Sequence, residues 1–149
     1  MKMIAKNRKA YHNYTIETKH EAGIVLQGTE VKSCVSSKVD LSDGYIAFEG
    51  NRVVLKNIHI AKYANAGYAD HEEKRDRFLL LNRHEIRKLK KAITEKGYTL
   101  IPLIMYFHSK TGKIKLEIGL CKGKKQFDKR ETLKQRQQEL DIKREAKTL

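Results

Sequence analysis

The chain has 149 residues, 40% of them hydrophobic, and carries 32 Lys plus Arg against 18 Asp plus Glu, a formal net charge of +14. Its length suits one domain with an ordinary core, and so large a positive excess points to a polyanionic partner, nucleic acid ahead of an anionic membrane surface. The longest apolar stretch, "LIPLIMYF" at 100–107, is far short of the ~20 residues that span a bilayer, and the basic N-terminus lacks the apolar run of a signal peptide. Cys34 and Cys121 have neither metal nor disulfide spacing, so a cytoplasmic protein with free thiols is expected.

In chain order, residues 1–12 read as a mobile basic arm. Between Asn13 and Gln27 the alternation of Tyr14 and Ile16 with polar residues, a break at Glu21-Ala22-Gly23 and the run "IVLQ" predict two strands around a turn. "GTEVKSCVSSK" predicts a short helix with Thr29 as N-cap and Val31, Cys34 and Val35 buried. "GYIAFEGNRVVLKNIHIA" predicts a hairpin over Gly50-Asn51, and the polar, aperiodic residues 64–77 a mobile loop. After "FLLL", Asn82 and Glu85 have capping-box spacing. Ile86, Leu89 and Ile93 recur at helical spacing, Gly97 ends the helix, and Arg87, Lys88, Lys90 and Lys91 lie opposite the apolar stripe. "TLIPLIMYF" and "KIKLEIGLC" around His108–Gly112 predict a second hairpin. The sum is a mainly β domain with accessory helices: an OB-like barrel of about six strands over residues 13–122, with two or three helices.

The remaining residues, 123–149, form a charged extension. Asp128 and Glu131 again have capping-box spacing, and no Gly or Pro interrupts the chain to Leu149. Local propensity therefore favours helix, but Leu133, Leu140, Ile142, Ala146 and Leu149 make no continuous stripe to bury. The expectation is a basic tail that is disordered when free and helical against a charged partner; the residues alone leave open a solvated extension with no role.

Enzyme chemistry finds little support. His71-Glu72-Glu73 begins like a zinc-protease motif, but Arg75 stands where the second His is needed. "GLCKGKK" has three residues between its glycines where a phosphate loop has four, and Lys125 replaces the magnesium-binding hydroxyl. No metal or cofactor is expected. RNA binding fits better: Lys122, Lys124 and Lys125 cluster beside Gly123, and Tyr11, Tyr14, Tyr63, Tyr68 and Phe127 offer stacking faces. For each tyrosine the alternative is core or rim packing, and Tyr14, on an alternating strand, more often reads as packing. Glu21 either pairs with a nearby lysine or accepts hydrogen bonds from a base edge.

"EAGIVLQGTEVKS" at 21–33, "FLLLNRHEI" at 78–86 and "GKKQFDKRETLK" at 123–134 together resemble the small protein B (SmpB) family, and the likeness runs from about Asn7 to Arg136. The resemblance implies an OB-fold protein, not an enzyme, that binds the tRNA-like domain of tmRNA. It would deliver alanyl-tmRNA to ribosomes stalled without a stop codon, as a monomer, with elongation factor Tu in the delivery complex and no membrane partner. Its tail would enter the decoding centre of the small subunit and the empty mRNA path. Carried over by residue, the resemblance assigns tmRNA binding to Tyr14, Glu21, Leu80 and Lys115, with Leu80 also readable as part of a buried run. It assigns ribosomal function to Gly123, Lys124, Lys125, Asp128, Lys129 and Arg130. Phe127 stands in the same motif where some members have His, and so can stack without donating. Cys34-Val35-Ser36-Ser37, Glu73 and Phe78 are further departures from the family pattern. Without the resemblance, the same physics describes a generic OB-fold RNA-binding protein of the translation machinery.

Overall fold

A computed structural model describes residues 2–63 and 70–123 of the chain. These form nine strands and three helices: β1 (Lys2–Lys6), α1 (Arg8–Asn13), β2 (Tyr14–Ile24), α2 (Gly28–Val35), β3 (Val39–Asp40), β4 (Tyr45–Glu49), β5 (Arg52–Lys56), β6 (His59–Ile60), β7 (Arg77–Leu80), α3 (Arg83–Lys96), β8 (Thr99–Phe107) and β9 (Ile114–Gly123). The main sheet runs β1-β8-β4-β5-β7-β2-β9, and a further β8–β9 pairing closes it. Strands β8, β4, β5, β7, β2 and β9 thus make a six-stranded ring, the expected OB-like barrel, while β1 adds to the free edge of β8. Closure leaves few strand edges exposed, which protects a β-rich chain from edge-to-edge association.

Alternation along β9 sets the inside and outside of the barrel. Leu116, Ile118 and Leu120 point into the main core with Leu55, Leu100 and Met105, while Lys115, Glu117, Gly119 and Cys121 face outward. The helix α3 begins at Asn82, whose side chain accepts from the Glu85 amide at 2.8 Å, and ends at Gly97 in the left-handed region with φ 68°. It buries Leu89 against the core, with Ile86 and Ile93 partly buried beside it. A Leu89→Ala change would cost about 2–5 kcal/mol.

Several sequence expectations need correction. The expected mobile arm 1–12 is not mobile from Lys2 onward: β1 pairs with β8, Ile4 and Ala10 are buried, and Asn7 pins the segment down. The Asn7 side-chain amide donates to the carbonyls of Leu41 (3.1 Å) and Pro102 (2.9 Å), and its oxygen accepts from the Ala10 amide at 3.0 Å. Tyr14–Ile24 is one eleven-residue strand, where the sequence predicts two strands around a turn between Asn13 and Gln27. Ala22 lies fully buried within it, so the "EAG" triplet is strand interior.

The α2 helix is capped at Gln27, not Thr29, and buries Glu30, Ser33 and Cys34 while Val31 and Val35 stay exposed. The reason is an ion pair. Glu30 accepts from Arg77 Nε at 2.6 Å and from Arg75 Nη2 at 2.5 Å, and the Gln27 amide adds a third donor at 2.8 Å. Arg77, fully buried at the start of β7, also donates to the carbonyls of Ile58 (3.1 Å) and Glu73 (3.1 Å). The expected mobile loop 64–77 is therefore fixed from Glu72 onward, because its carbonyls satisfy a buried guanidinium. Residues 64–69 lie outside the described part.

Candidate nucleic-acid interface

Two irregularities bring the candidate residues onto one surface. In β2 the register shifts between Ile16 and Thr18. One extra residue reverses the alternation, so Tyr14 and Ile16 before it face outward together with Lys19, Glu21 and Gly23 after it. In β8 a second shift lies between Pro102 and Ile104. It turns Tyr106 outward, although strict alternation from the inward Leu100 would place it inside. Sequence alternation cannot reveal either reversal, so the sequence places Tyr106 only within a strand.

The outer face then has a definite order. Opposed residues of an antiparallel pair project to the same side, and the register Leu80–Gly23–Lys115–Tyr106–Met3 crosses β7, β2, β9, β8 and β1. Gly23 has no side chain in this row, and Leu80 leans into the gap: a Cβ placed on Gly23 would lie 3.2 Å from the Leu80 Cβ. Leu80 is 63% exposed, which rules out the buried-run reading for that residue. Gly23, Leu80, Lys115 and Lys113 line one shallow groove with Val31 and Phe107.

The next row holds Glu21 directly opposite Glu117. Facing carboxylates repel, and each has its own relief. The buried Tyr106 hydroxyl donates to Glu21, and Lys19 Nζ lies 3.6 Å from Glu117. Neither a lysine partner nor a turn explains Glu21; its partner is a tyrosine. Burial, then the hydrogen bond to Glu21, pushes the Tyr106 phenol well above its ordinary value, so it is a donor at neutral pH.

Further along the same face, α1 lies over Ile101, Leu103 and Cys121. It presents the Tyr11 ring near two ammonium groups, Lys6 at 5.0 Å and Lys19 at 5.5 Å from the centroid. Tyr14 pairs with Gly123 at the far end of β9, half-buried against the α1 cluster. Gly123 and Lys115 are eight steps apart along β9, roughly 27 Å at ~3.4 Å per step. The structure therefore gathers Glu21, Leu80 and Lys115 at one end and sets Tyr14 and Gly123 at the other. Lys6, Tyr11 and Lys19 stand between, and Lys6, Lys19 and Tyr106 had not been singled out from sequence. Lys124, Lys125, Phe127, Asp128, Lys129 and Arg130 lie outside the described residues, as does Tyr68.

Other parts of the molecule offer less chemistry. His71 is buried, its Nε2–H donating to the Ile60 carbonyl at 2.9 Å and its Nδ1 2.9 Å from the Thr29 hydroxyl, a structural role. Burial raises the Cys34 thiol to about 12 and the Cys121 thiol to about 11, so neither is a thiolate at neutral pH. Among the described residues no group of three His, Cys, Asp or Glu side chains is placed to hold a metal, and no helix is long and apolar enough to cross a membrane.

Comparison with known proteins identifies the family. The family model for SmpB protein matches residues 4–148. An SsrA-binding protein of Treponema denticola is 46% identical over 147 residues, spanning 99% of this chain and 94% of that protein. One of Caldicellulosiruptor bescii is 48% identical over 147 residues, spanning 99% and 92%. A solved structure named "tmRNA-SmpB: a journey to the center of the bacterial ribosome" contains a chain of similar fold. Its TM-score is 0.67 and its identity 43%, over 80% of this chain and 82% of that one.

Proposed function

The chain belongs to the SmpB protein family, and on that footing we propose that it binds the tRNA-like domain of tmRNA and carries alanyl-tmRNA to stalled ribosomes for trans-translation. The observation that carries this reading is the convergence of Glu21, Leu80 and Lys115 around Gly23, beside the Lys6–Tyr11–Lys19 band. The face offers what folded RNA needs: ammonium groups for phosphates, an aromatic ring for an unstacked base, and a carboxylate, held by Tyr106, that accepts from a base edge. Its role is binding and delivery, without a chemical step of its own.

In this reading Tyr14 packs the far end of the face. Gly123, the last residue of β9, leads into the motif Lys124, Lys125, Phe127, Asp128, Lys129 and Arg130, which serves the decoding centre and the empty mRNA channel. The protein acts as a monomer in the cytoplasm, with elongation factor Tu in the delivery complex.

The test is binding preference in salt. The purified chain should prefer the tRNA-like domain over an unstructured RNA of equal length, and the preference should persist as rising salt weakens the phosphate contacts shared by both. Equal affinity for the two RNAs would instead describe a generic RNA-binding module, and cleavage or modification of either RNA by the protein alone would describe an enzyme.

A further inference from the structure

We infer that Phe78 and Arg52 form a stacking platform for an unpaired RNA base, adjoining the Glu21–Leu80–Lys115 surface at Leu80. Resting on the RNA-binding reading, the inference adds a second point of contact on the barrel. On β7 the core side belongs to Arg77 and Leu79, so Phe78 projects outward with Leu80 and is 40% exposed. The Arg52 guanidinium carbon, at the start of β5, lies 5.2 Å from the centre of its ring. A cation over an aromatic face fixes the ring and is itself a planar surface on which a base can stack.

The pair borders a depression of about 400 Å³ lined by Asn51, Leu80, Leu81 and Ile86 as well. An adjoining depression shares Asn51, Leu81 and Ile86 and adds Arg83, Arg87 and Lys90. An exposed aromatic beside an apolar floor, ringed by guanidinium and ammonium groups, matches the elements of single-stranded RNA: a π face for the base and cations for the flanking phosphates. Leu80 lines both this depression and the Lys115 groove, so the two surfaces are continuous. That continuity, with the cationic rim, favours an RNA strand over an apolar protein segment.

The chain contains no tryptophan, so a Phe78→Trp variant places a single fluorescent ring at the platform. Titration with the tRNA-like domain of tmRNA should quench its emission, and a fully paired RNA duplex of similar length should leave it unchanged. In parallel, Phe78→Ala should weaken binding of the tRNA-like domain by about 5- to 100-fold. The salt dependence should stay the same, because stacking releases no counterions.

RNA bound at wild-type affinity by Phe78→Ala, with unquenched emission in Phe78→Trp, would overturn the platform and leave the RNA-binding reading standing. Failure of the wild-type chain to bind the RNA would overturn both. An emission change that follows protein concentration without RNA would give the surface to a second copy of the chain and also overturn the inference.

Discussion

The Tyr106 hydroxyl donates a hydrogen bond to the Glu21 carboxylate across the intervening strand β9, joining a buried phenol on β8 to an exposed acid on β2. The bond holds a negative charge in place opposite Glu117, where electrostatics alone would push it away. Glu21→Gln keeps an oxygen for Tyr106 and removes only the charge, so its stability should stay within about 0.5 kcal/mol of wild type. Glu21→Ala leaves the hydroxyl without its acceptor and should cost about 1–3 kcal/mol. If the carboxylate itself meets the RNA, both variants should bind the tRNA-like domain about tenfold more weakly, a loss of roughly 1.4 kcal/mol. Wild-type affinity in Glu21→Gln would reduce Glu21 to a support for Tyr106.

The same bond predicts an alkaline limb in stability. Burial and then the Glu21 acceptor raise the Tyr106 phenol above its ordinary 10.0 in the folded protein. The folded state therefore holds this proton more tightly than the unfolded state does. Its contribution is fully present below pH 10 and is lost as pH rises from there toward the folded value. Urea midpoints measured between pH 9 and 11.5 should fall more steeply for wild type than for Tyr106→Phe. Parallel slopes would show that the phenol is not perturbed.

The barrel was legible in the sequence because its hairpins announce themselves. Gly50-Asn51 joins β4 to β5, an unbroken apolar run marks β8 and alternation marks β9, and Asn82, Glu85 and Gly97 mark both ends of α3. What stayed hidden depends on contacts between segments far apart in the chain. Asn7 reads as an ordinary polar residue until the carbonyls of Leu41 and Pro102 surround it. Glu30 reads as solvent-facing until Arg75 and Arg77, some 45 positions later, meet it. The shared outer face was hidden for a different reason. Tyr14 and Glu21 have opposite parity in sequence, and only the shifted register near Glu17 puts them on one side.

The Glu30–Arg77 pair should be the most sensitive polar site in the fold, since both side chains are fully buried. Arg77→Met leaves the buried Glu30 carboxylate with only Arg75 and the Gln27 amide, and the Ile58 carbonyl without the Arg77 donor, a loss of about 3–5 kcal/mol. Adding Glu30→Leu should recover much of it, because the buried, only partly compensated carboxylate is then gone. Burial opposes ionisation of Glu30 most strongly, yet Arg75, the Gln27 amide and Arg77 together hold its carboxyl below the ordinary 4.5. The stabilisation from this group is therefore present above pH 4.5 and lost as pH falls through the lower folded value. Acid unfolding curves should show that loss in wild type and not in the double variant. An Arg77→Met protein as stable as wild type would contradict the buried network.

Gly23 separates binding from stability. A methyl at this position would meet the Leu80 Cβ at 3.2 Å and its Cδ1 at 3.4 Å; the exposed Cδ1 can rotate away, and the Cβ contact needs the two strands to give by a few tenths of an ångström. Gly23→Ala should therefore change stability by less than about 1 kcal/mol, since the closer contact is offset by relief of the glycine's entropic cost within a strand. RNA affinity should fall as far as in Leu80→Ala, because both changes remove the leucine from its place beside Lys115. Unchanged affinity in Gly23→Ala, with weakened binding in Leu80→Ala, would mean that the groove tolerates a shifted leucine.

The proposed division between barrel and tail can be tested by truncation. Gly123 pairs with Tyr14 at the end of β9, so ending the chain after Phe127 retains every strand pairing described for the barrel. Affinity for the tRNA-like domain should stay within about twofold of wild type, a difference of roughly 0.4 kcal/mol. Peptide tagging on stalled ribosomes should be abolished, since Asp128, Lys129 and Arg130 are gone. Read together, the two assays locate the functions: binding belongs to the face built on β2 and β9, and engagement of the ribosome to the residues beyond Phe127. Loss of RNA binding on truncation would move part of the tmRNA surface into the tail, and full tagging activity would remove the tail from the mechanism.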